Sequence, residues 1–301
     1  MAKTNKISNL RRLNNKNKFI VVLYLIKRIL RIEPTKNEEN VYVYYNILIN
    51  SNGNYLSETK SEFVSEINDN FYKCIKTRKK PKSSDLDAFN MIYSKKEYLP
   101  IVKVYFENFK IVNETSLNII DAGSNIGLTS LFFIDYFKKA TIVCIEPELE
   151  NFKILEYNLK NCNDNKVFKI NGAVWSTDCN IKIINDFKDK LDWSFRVEET
   201  EEDNSIKAFS INTIINTIGF DSIDILKIDV EGSEKQIFDK NSSNLDFLKI
   251  TKCIAIEIHD FFDCRKQIYD VLDFYGFTYF NEGELTIAYN TNLALNKENN
   301  T

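Results

Sequence analysis

The chain has 301 residues, a hydrophobic fraction of 44% and a formal net charge of −3. Those values exclude a wholly disordered chain and leave room for one large domain with an extension, or for two modest domains. The charge is uneven: residues 1–82 hold 17 Lys+Arg and 7 Asp+Glu, a balance of +10, and the remainder carries −13. A basic leader therefore precedes an acidic body, in which a nucleic-acid groove is not expected.

Residues 19–26 are continuously apolar but far short of the ~20 residues that span a bilayer. Lys16, Lys18, Lys27, Arg28 and Arg31 flank them. No small-residue cleavage site follows, so a signal peptide is not expected. The run reads as a helix, either buried against the body or lying on an anionic membrane surface, with residues 1–32 making the peripheral contact. Residues 34–40 read as a linker. Residues 41–49, rich in β-branched and aromatic side chains, read as a strand. Residues 57–75, with Phe63, Val64, Ile67 and Phe71 at helical spacing, read as a helix. A basic turn at 76–84 and a helical pair at 86–110, broken near Pro100, complete a mainly helical extension over residues 1–110.

From Leu117 strands and helices alternate. Strands are predicted at 117–121, 141–146, 167–174, 223–229, 252–258, 276–281 and 285–289, and helices at 127–138, 149–160, 233–239 and 262–274. Unbroken apolar strands suit a parallel sheet covered on both faces. Residues 178–215 interrupt the pattern as a hairpin insertion around the acidic run 198–203. Residues 276–289 read as an antiparallel hairpin about Asn281-Glu282-Gly283-Glu284. The folded body is expected over 111–293, with a disordered tail at 294–301. Six cysteines without a Cys-x-x-Cys pair read as reduced thiols, with Cys144 and Cys253 inside strands.

The chemistry gathers at the predicted carboxyl ends of the strands. Asp121-Ala122-Gly123-Ser124-Asn125-Ile126-Gly127 stands between a strand and a helix, the order that builds a nucleotide-type pocket. Its spacing, Asp-x-Gly-x-x-x-Gly, is not the Gly-x-Gly-x-x-Gly of dinucleotide binders. An acid at that strand end repels phosphate and suits a ligand bearing an amine and a sulfonium, which points to S-adenosylmethionine. Gly123 and Gly127 are expected to let backbone approach the ligand. Ser124 and Asn125 are candidates for hydrogen bonds to its carboxylate, and Asp121 for its amine. Glu146, before Pro147, is placed to accept from ribose hydroxyls. Ala173 and its neighbours are candidates for adenine contact.

Asp229 and Glu231 in Leu226-Lys227-Ile228-Asp229-Val230-Glu231-Gly232-Ser233-Glu234 close the same crevice. Asp229 is read as a contact for the methionine amine, a metal or the acceptor. His259, the only histidine, ends the following strand, and its ordinary pKa suits removal of a hydroxyl proton. Asp229, Glu257 and His259 form an alternative set of divalent-metal ligands, although no metal is the expected arrangement.

These blocks together resemble the FkbM family of S-adenosylmethionine-dependent methyltransferases. The matching stretches are Ile120 to Gly127, Glu146-Pro147 followed by Asn151 and Asn158, Leu226 to Glu234, and Glu257-Ile258-His259. The resemblance covers about residues 115–290. Ser124 and Ser233 stand where alanine is commoner in the family, and the resemblance does not reach residues 1–110. The resemblance implies a class I Rossmann-like sheet, mostly parallel with an antiparallel C-terminal hairpin, and methylation of oxygen on sugars or secondary metabolites. Asp121, Gly123, Asn125 and Glu146 carry over as cofactor contacts, Asp229 and His259 as catalytic candidates. The expected acceptor is a glycan, a glycolipid or another small molecule, and the expected location is the cytoplasm, with contact at the inner membrane face. The rival is a catalytically silent, membrane-associated binding protein of the same fold.

Overall fold

The computed structural model describes residues 8–68, 72–81, 83–109, 116–137, 139–162, 165–184, 196–200 and 205–295. The chain forms two compact units, residues 1–96 and 97–301.

In the first unit, a 3-10 turn at Ser8–Arg12 leads into α1 (Asn15–Ile29), capped by the Asn14 side chain. The segment after α1 is not a linker throughout. Thr35 and Glu38 form a reciprocal capping box that starts α2 (Lys36–Asn50). Residues 41–49 are therefore helix rather than strand. Their buried positions Val41, Tyr44, Tyr45 and Leu48 follow the 3–4 spacing of one helix face, which prevails over their strand-like composition. The predicted helix at 57–75 is also corrected. Strands β1 (Gly53–Glu58), β2 (Glu62–Asn68) and β3 (Tyr72–Arg78) form an antiparallel meander. Phe63, Ser65 and Ile67 alternate inward on β2, and Lys73, Ile75 and Thr77 on β3. Period two wins because polar residues hold some of the inward positions. Phe71, counted in that helix, lies outside the described residues. A short helix α3 (Asp85–Phe89) runs into a π-helical turn at Asn90–Ser94.

The second unit begins with α4 (Leu99–Asn108). Pro100 lies in its first turn, where a missing N–H costs nothing, and the helical pair is broken just before it, as expected. The Tyr105 hydroxyl donates to Asp224 Oδ1 over 2.7 Å, tying α4 to the sheet.

The alternating region follows the expected order: β4 (Leu117–Ala122), α5 (Leu128–Tyr136), β5 (Ala140–Glu146), α6 (Leu149–Asn158) and β6 (Lys166–Asn171). Gly172 ends β6, and the next pair, β7 (Ala173–Val174), joins a second sheet. There, β8 (Cys179–Ile184), β9 (Arg196–Glu199) and β10 (Ile206–Phe209) complete the order β7-β10-β8-β9. The single strand predicted over 167–174 is therefore two strands in two sheets. The insertion is a hairpin as expected, but residues 201–203 of the acidic run lie outside the described residues.

An unpredicted helix α7 (Ile211–Ile218) precedes β11 (Ile223–Ile228). The one-turn α8 (Glu234–Ile237), β12 (Thr251–Glu257), α9 (Arg265–Phe274), β13 (Phe277–Glu282) and β14 (Leu285–Asn290) finish the unit. The main sheet runs β13-β14-β12-β11-β4-β5-β6. β12, β11, β4, β5 and β6 are parallel to one another, and the terminal hairpin β13–β14 is antiparallel and pairs antiparallel with β12, as expected. Residues Ile223 to Ile228 are all buried, as a strand covered on both faces requires. Most of the predicted tail, residues 296–301, lies outside the described residues.

Candidate functional site

The carboxyl ends of β4, β5, β11 and β12 bring the predicted residues to one edge of the sheet. At the end of β4, Asp121 is fully buried and turned beneath the turn that follows. Its Oδ2 accepts from the Ser130 hydroxyl over 2.6 Å. Its Oδ1 lies 3.3 Å from Lys227 Nζ. Lys227 is 2% exposed and stands opposite Asp121 in the parallel β4–β11 register. Its ammonium also donates to the carbonyls of Ala122 and Gly123. Burial opposes the charge on Lys227, but Asp121 and Asp229 outweigh it and hold the ammonium pKa above its ordinary value. Asp121 and Lys227 are thus a buried brace that fixes the turn. Sequence reasoning missed Lys227; the available signal was a charged residue inside the apolar run Ile225 to Ile228.

The two glycines are demanded by the protein itself. A Cβ on Gly123, at φ +74°, would lie 1.7 Å from the Asp229 carbonyl oxygen. One on Gly127, at φ +81°, would press on Leu159, the C-cap of α6, at 3.0 Å. Ser124 is likewise committed internally: its hydroxyl donates to the Asp121 carbonyl over 2.6 Å and accepts from the Ile145 N–H over 2.9 Å. Its side chain joins β4 to β5.

Asn125 and Glu146 form the part of the turn with capacity to spare. Asn125, at φ +47°, donates its backbone N–H to Glu146 Oε2 over 2.8 Å. Glu146 Oε1 accepts from the Glu148 N–H at 3.0 Å and the Asn151 amide at 3.3 Å. Burial pushes the Glu146 pKa up to about 7, although these donors pull it back. The Asn125 Oδ1 atom is buried without a hydrogen-bond partner. An orphan acceptor of this kind costs roughly 1–3 kcal/mol unless a donor reaches it. Asn158 donates to the Ile126 carbonyl over 2.9 Å, so Asn151 and Asn158 both support this turn from α6. The Gly172 N–H and the Asn171 amide donate to the Glu146 carbonyl, which joins the third strand end to the second. Ala173 is buried beside Trp175, Ile181 and Ala208 in the second sheet.

On the other side, the Asp229 backbone N–H donates to the Ala122 carbonyl. Its carboxylate lies 3.7 Å from Lys227 Nζ. Glu231, at φ +53°, and Glu257 both approach His259 Nε2, at 3.3 and 3.8 Å. His259 Nδ1 lies 3.1 Å from Oε1 of Glu234, whose side chain is fully buried. Burial alone would lower the His259 pKa, but Glu231 and Glu234 raise it well above the ordinary histidine value. Acids thus stand at both ring nitrogens of His259, the residue expected to act as the base. Burial raises the carboxyl pKa values of Glu231 and Glu257, with Asp229 adding to both.

No curated protein matches the chain. Among solved structures, an FkbM methyltransferase from Methylobacillus flagellatus KT is similar at 14% identity and a TM-score of 0.37, over 68% of this chain and 53% of that one. The chain thus spans about half the length of that protein. The N-terminal domain of human METTL16 in complex with SAH is similar at 11% identity and a TM-score of 0.36, covering 64% of this chain and 68% of that one. M. capricolum TrmK in complex with S-adenosyl-homocysteine gives 12% identity and 0.34, covering 67% and 70%. A model of the methyltransferase FkbM domain matches residues 121–279, more than half of the chain. The span holds the Asp121 turn, Glu146, Asp229 and His259, and on that match the chain belongs to the FkbM methyltransferase domain family.

Proposed function

We propose that residues 97–301 form an S-adenosylmethionine-dependent methyltransferase that methylates a hydroxyl oxygen, with a sugar of a glycan or glycolipid as the acceptor. The observation that carries this reading is the Asn125–Glu146 pair, a buried carboxylate beside a buried amide oxygen that lacks a donor. A ligand bearing an ammonium group and two ribose hydroxyls offers the donors that this pair can accept. The surrounding acids favour its positive charge. When bound, S-adenosylmethionine supplies an electrophilic methyl group on sulfur.

The chain's own residues divide the remaining work. Glu146 and Asn125 bind and orient the donor, while Asp121, Ser124 and Lys227 hold the turn that presents them. Asp229 lies between the turn and the His259 cluster, where the acceptor is expected. His259, held by Glu234, and Asp229 are the groups read as taking the hydroxyl proton. Most of the rate gain is expected from alignment of acceptor and donor.

Calorimetry tests the reading. Wild-type protein is expected to bind S-adenosylmethionine at pH 8, and Asn125→Ala to weaken binding by roughly tenfold, one hydrogen bond's worth. Because Glu146 has a raised pKa, its carboxylate is present above about pH 7 and lost below it. Affinity is therefore expected to fall about tenfold from pH 8 to pH 6, and Glu146→Gln to abolish that dependence. Wild-type protein that takes up no donor at pH 8 would reject the proposal.

A second reading concerns the first unit. Phe19, Val22, Ile26 and Ile29 form one face of α1 and are 68%, 39%, 46% and 80% exposed. Such a stripe favours shallow insertion into a membrane surface, with a cytoplasmic location at its inner face. No helix among the described residues is long and apolar enough to cross a membrane. Two of the flanking lysines are already paired, Lys16 with Glu58 and Lys27 with Glu38. Apolar burial is thus expected to dominate over attraction to anionic lipid. Co-sedimentation with anionic vesicles is expected to survive 0.5 M salt in part and to vanish in Phe19→Glu/Ile29→Glu. Equal pelleting of that variant would exclude α1 as the contact.

A further inference from the structure

Beyond the donor turn, the sheet edge carries more acid than its cations balance. Asp121, Asp229, Glu231, Glu234 and Glu257 converge there, against Lys227 and His259. Lys227 is also shared with two backbone carbonyls. Partly buried carboxylates left without compensation are costly, so the arrangement calls for positive charge.

We propose that Asp229, Glu231, Glu257 and His259 form a binding site for one hard divalent cation of the manganese or magnesium class. The spacing suits such an ion. Ligand atoms about 2.1 Å from an octahedral centre lie roughly 3 Å apart when adjacent and 4.2 Å apart when opposite. His259 Nε2 is 3.3 Å from Glu231 Oε2 and 3.8 Å from Glu257 Oε1. Asp229, Glu231 and His259 each offer a ligand atom within 4.8 Å of the others. Three carboxylates and one imidazole favour a hard or borderline ion over a soft one.

A separate observation is the group behind the ring. Glu234 has no exposed side-chain surface, yet one carboxylate oxygen contacts His259 Nδ1 at 3.1 Å and the other has no partner. A buried carboxylate accepting from Nδ1–H is the arrangement that fixes a metal-bound histidine, because it leaves the Nε2 lone pair for the ion. Lys227, 3.7 Å from Asp229 Oδ2, is the opposing charge and sets the edge of the site on that side. An ion here would gather an oxygen-rich acceptor and withdraw charge from its hydroxyl. That role rests on the methyltransferase reading; binding of the ion does not.

The test uses the full, untagged chain and Mn2+ alone, without donor, followed by electron paramagnetic resonance. One saturable Mn2+ per chain is expected, with nitrogen couplings from an imidazole. His259 is the only histidine, so that signal has one source. Glu234→Gln is expected to weaken Mn2+ binding about 10–100-fold, and Glu231→Gln more, while S-adenosylmethionine binding persists. Absence of saturable Mn2+ binding, or of an imidazole coupling in wild-type protein, would overturn the proposal. So would displacement of Mn2+ by the donor, since the acids would then be meeting the donor's own charge. A chain that binds Mn2+ but no donor would keep this site and reject the methyltransferase reading.

Discussion

Asp121→Ala is expected to cost the second unit about 3–5 kcal/mol of stability, the range for removing one partner of a buried ion pair. The reason lies in what would remain. Lys227 would keep its charge in a site with 2% exposure, facing two carbonyls and, at 3.7 Å, Asp229. The Ser130 hydroxyl would lose its acceptor as well. Lys227→Met alone is expected to cost a similar amount, because Asp121 would then be the uncompensated charge. In Asp121→Ala/Lys227→Met neither charge is left, and at least half of the loss should return. Trp175 is buried in the second unit and residues 1–96 hold no tryptophan, so urea unfolding followed by tryptophan fluorescence reads that unit selectively. A double variant as unstable as the sum of the singles would show that Asp121 and Lys227 are not an energetically coupled pair. Donor binding should fall in both single variants, since Lys227 holds the Gly123 carbonyl of the donor turn.

This pair also marks how far the sequence could be read. The Asp121 turn was legible because an acid and two glycines at fixed spacing, between an apolar strand and a helix, constrain the backbone directly. Glu146 and Asp229 followed as strand-end acids in the same alternating pattern. Lys227 was not legible, because its partner stands across the parallel register rather than nearby in the chain. The setting of the His259 ring was hidden for a similar reason. Its ordinary pKa suggested a base, whereas Glu234, 25 residues away, contacts one ring nitrogen and Glu231 the other. The first unit was read poorly where composition and spacing disagreed. Residues 41–49 had strand composition with helical spacing, and spacing prevailed. At Phe63, Val64 and Ile67 an apparent helical spacing concealed alternation, because Ser65 and Thr77 occupy buried positions. Polar residues at inward sites of a sheet blur the period that sequence reasoning depends on.

Gly123→Ala is expected to be the most damaging single methyl addition in the second unit, and Gly219→Ala supplies its control. Both glycines have similar left-handed φ, +74° and +80°. A Cβ on Gly219, which ends α7, would have nothing within 4 Å. Its replacement should therefore show only the conformational cost of about 1 kcal/mol. At Gly123 the same cost is joined by a Cβ 1.7 Å from the Asp229 carbonyl oxygen and 2.8 Å from its carbon. Contact at that distance is far inside van der Waals separation, and both partners are backbone, so no side-chain rotation relieves it. The end of β4 must move away from β11. That movement pulls on the Asp229 N–H to Ala122 carbonyl bond and the Lys227 bond to Gly123, and it displaces Asn125 from Glu146. Thermal melting is expected to fall several-fold further for Gly123→Ala than for Gly219→Ala, with donor binding lost only in the former. Equal melting temperatures for the two variants would mean that the β4 turn is loose enough to give way, and the rigid donor-binding edge argued from it would not stand.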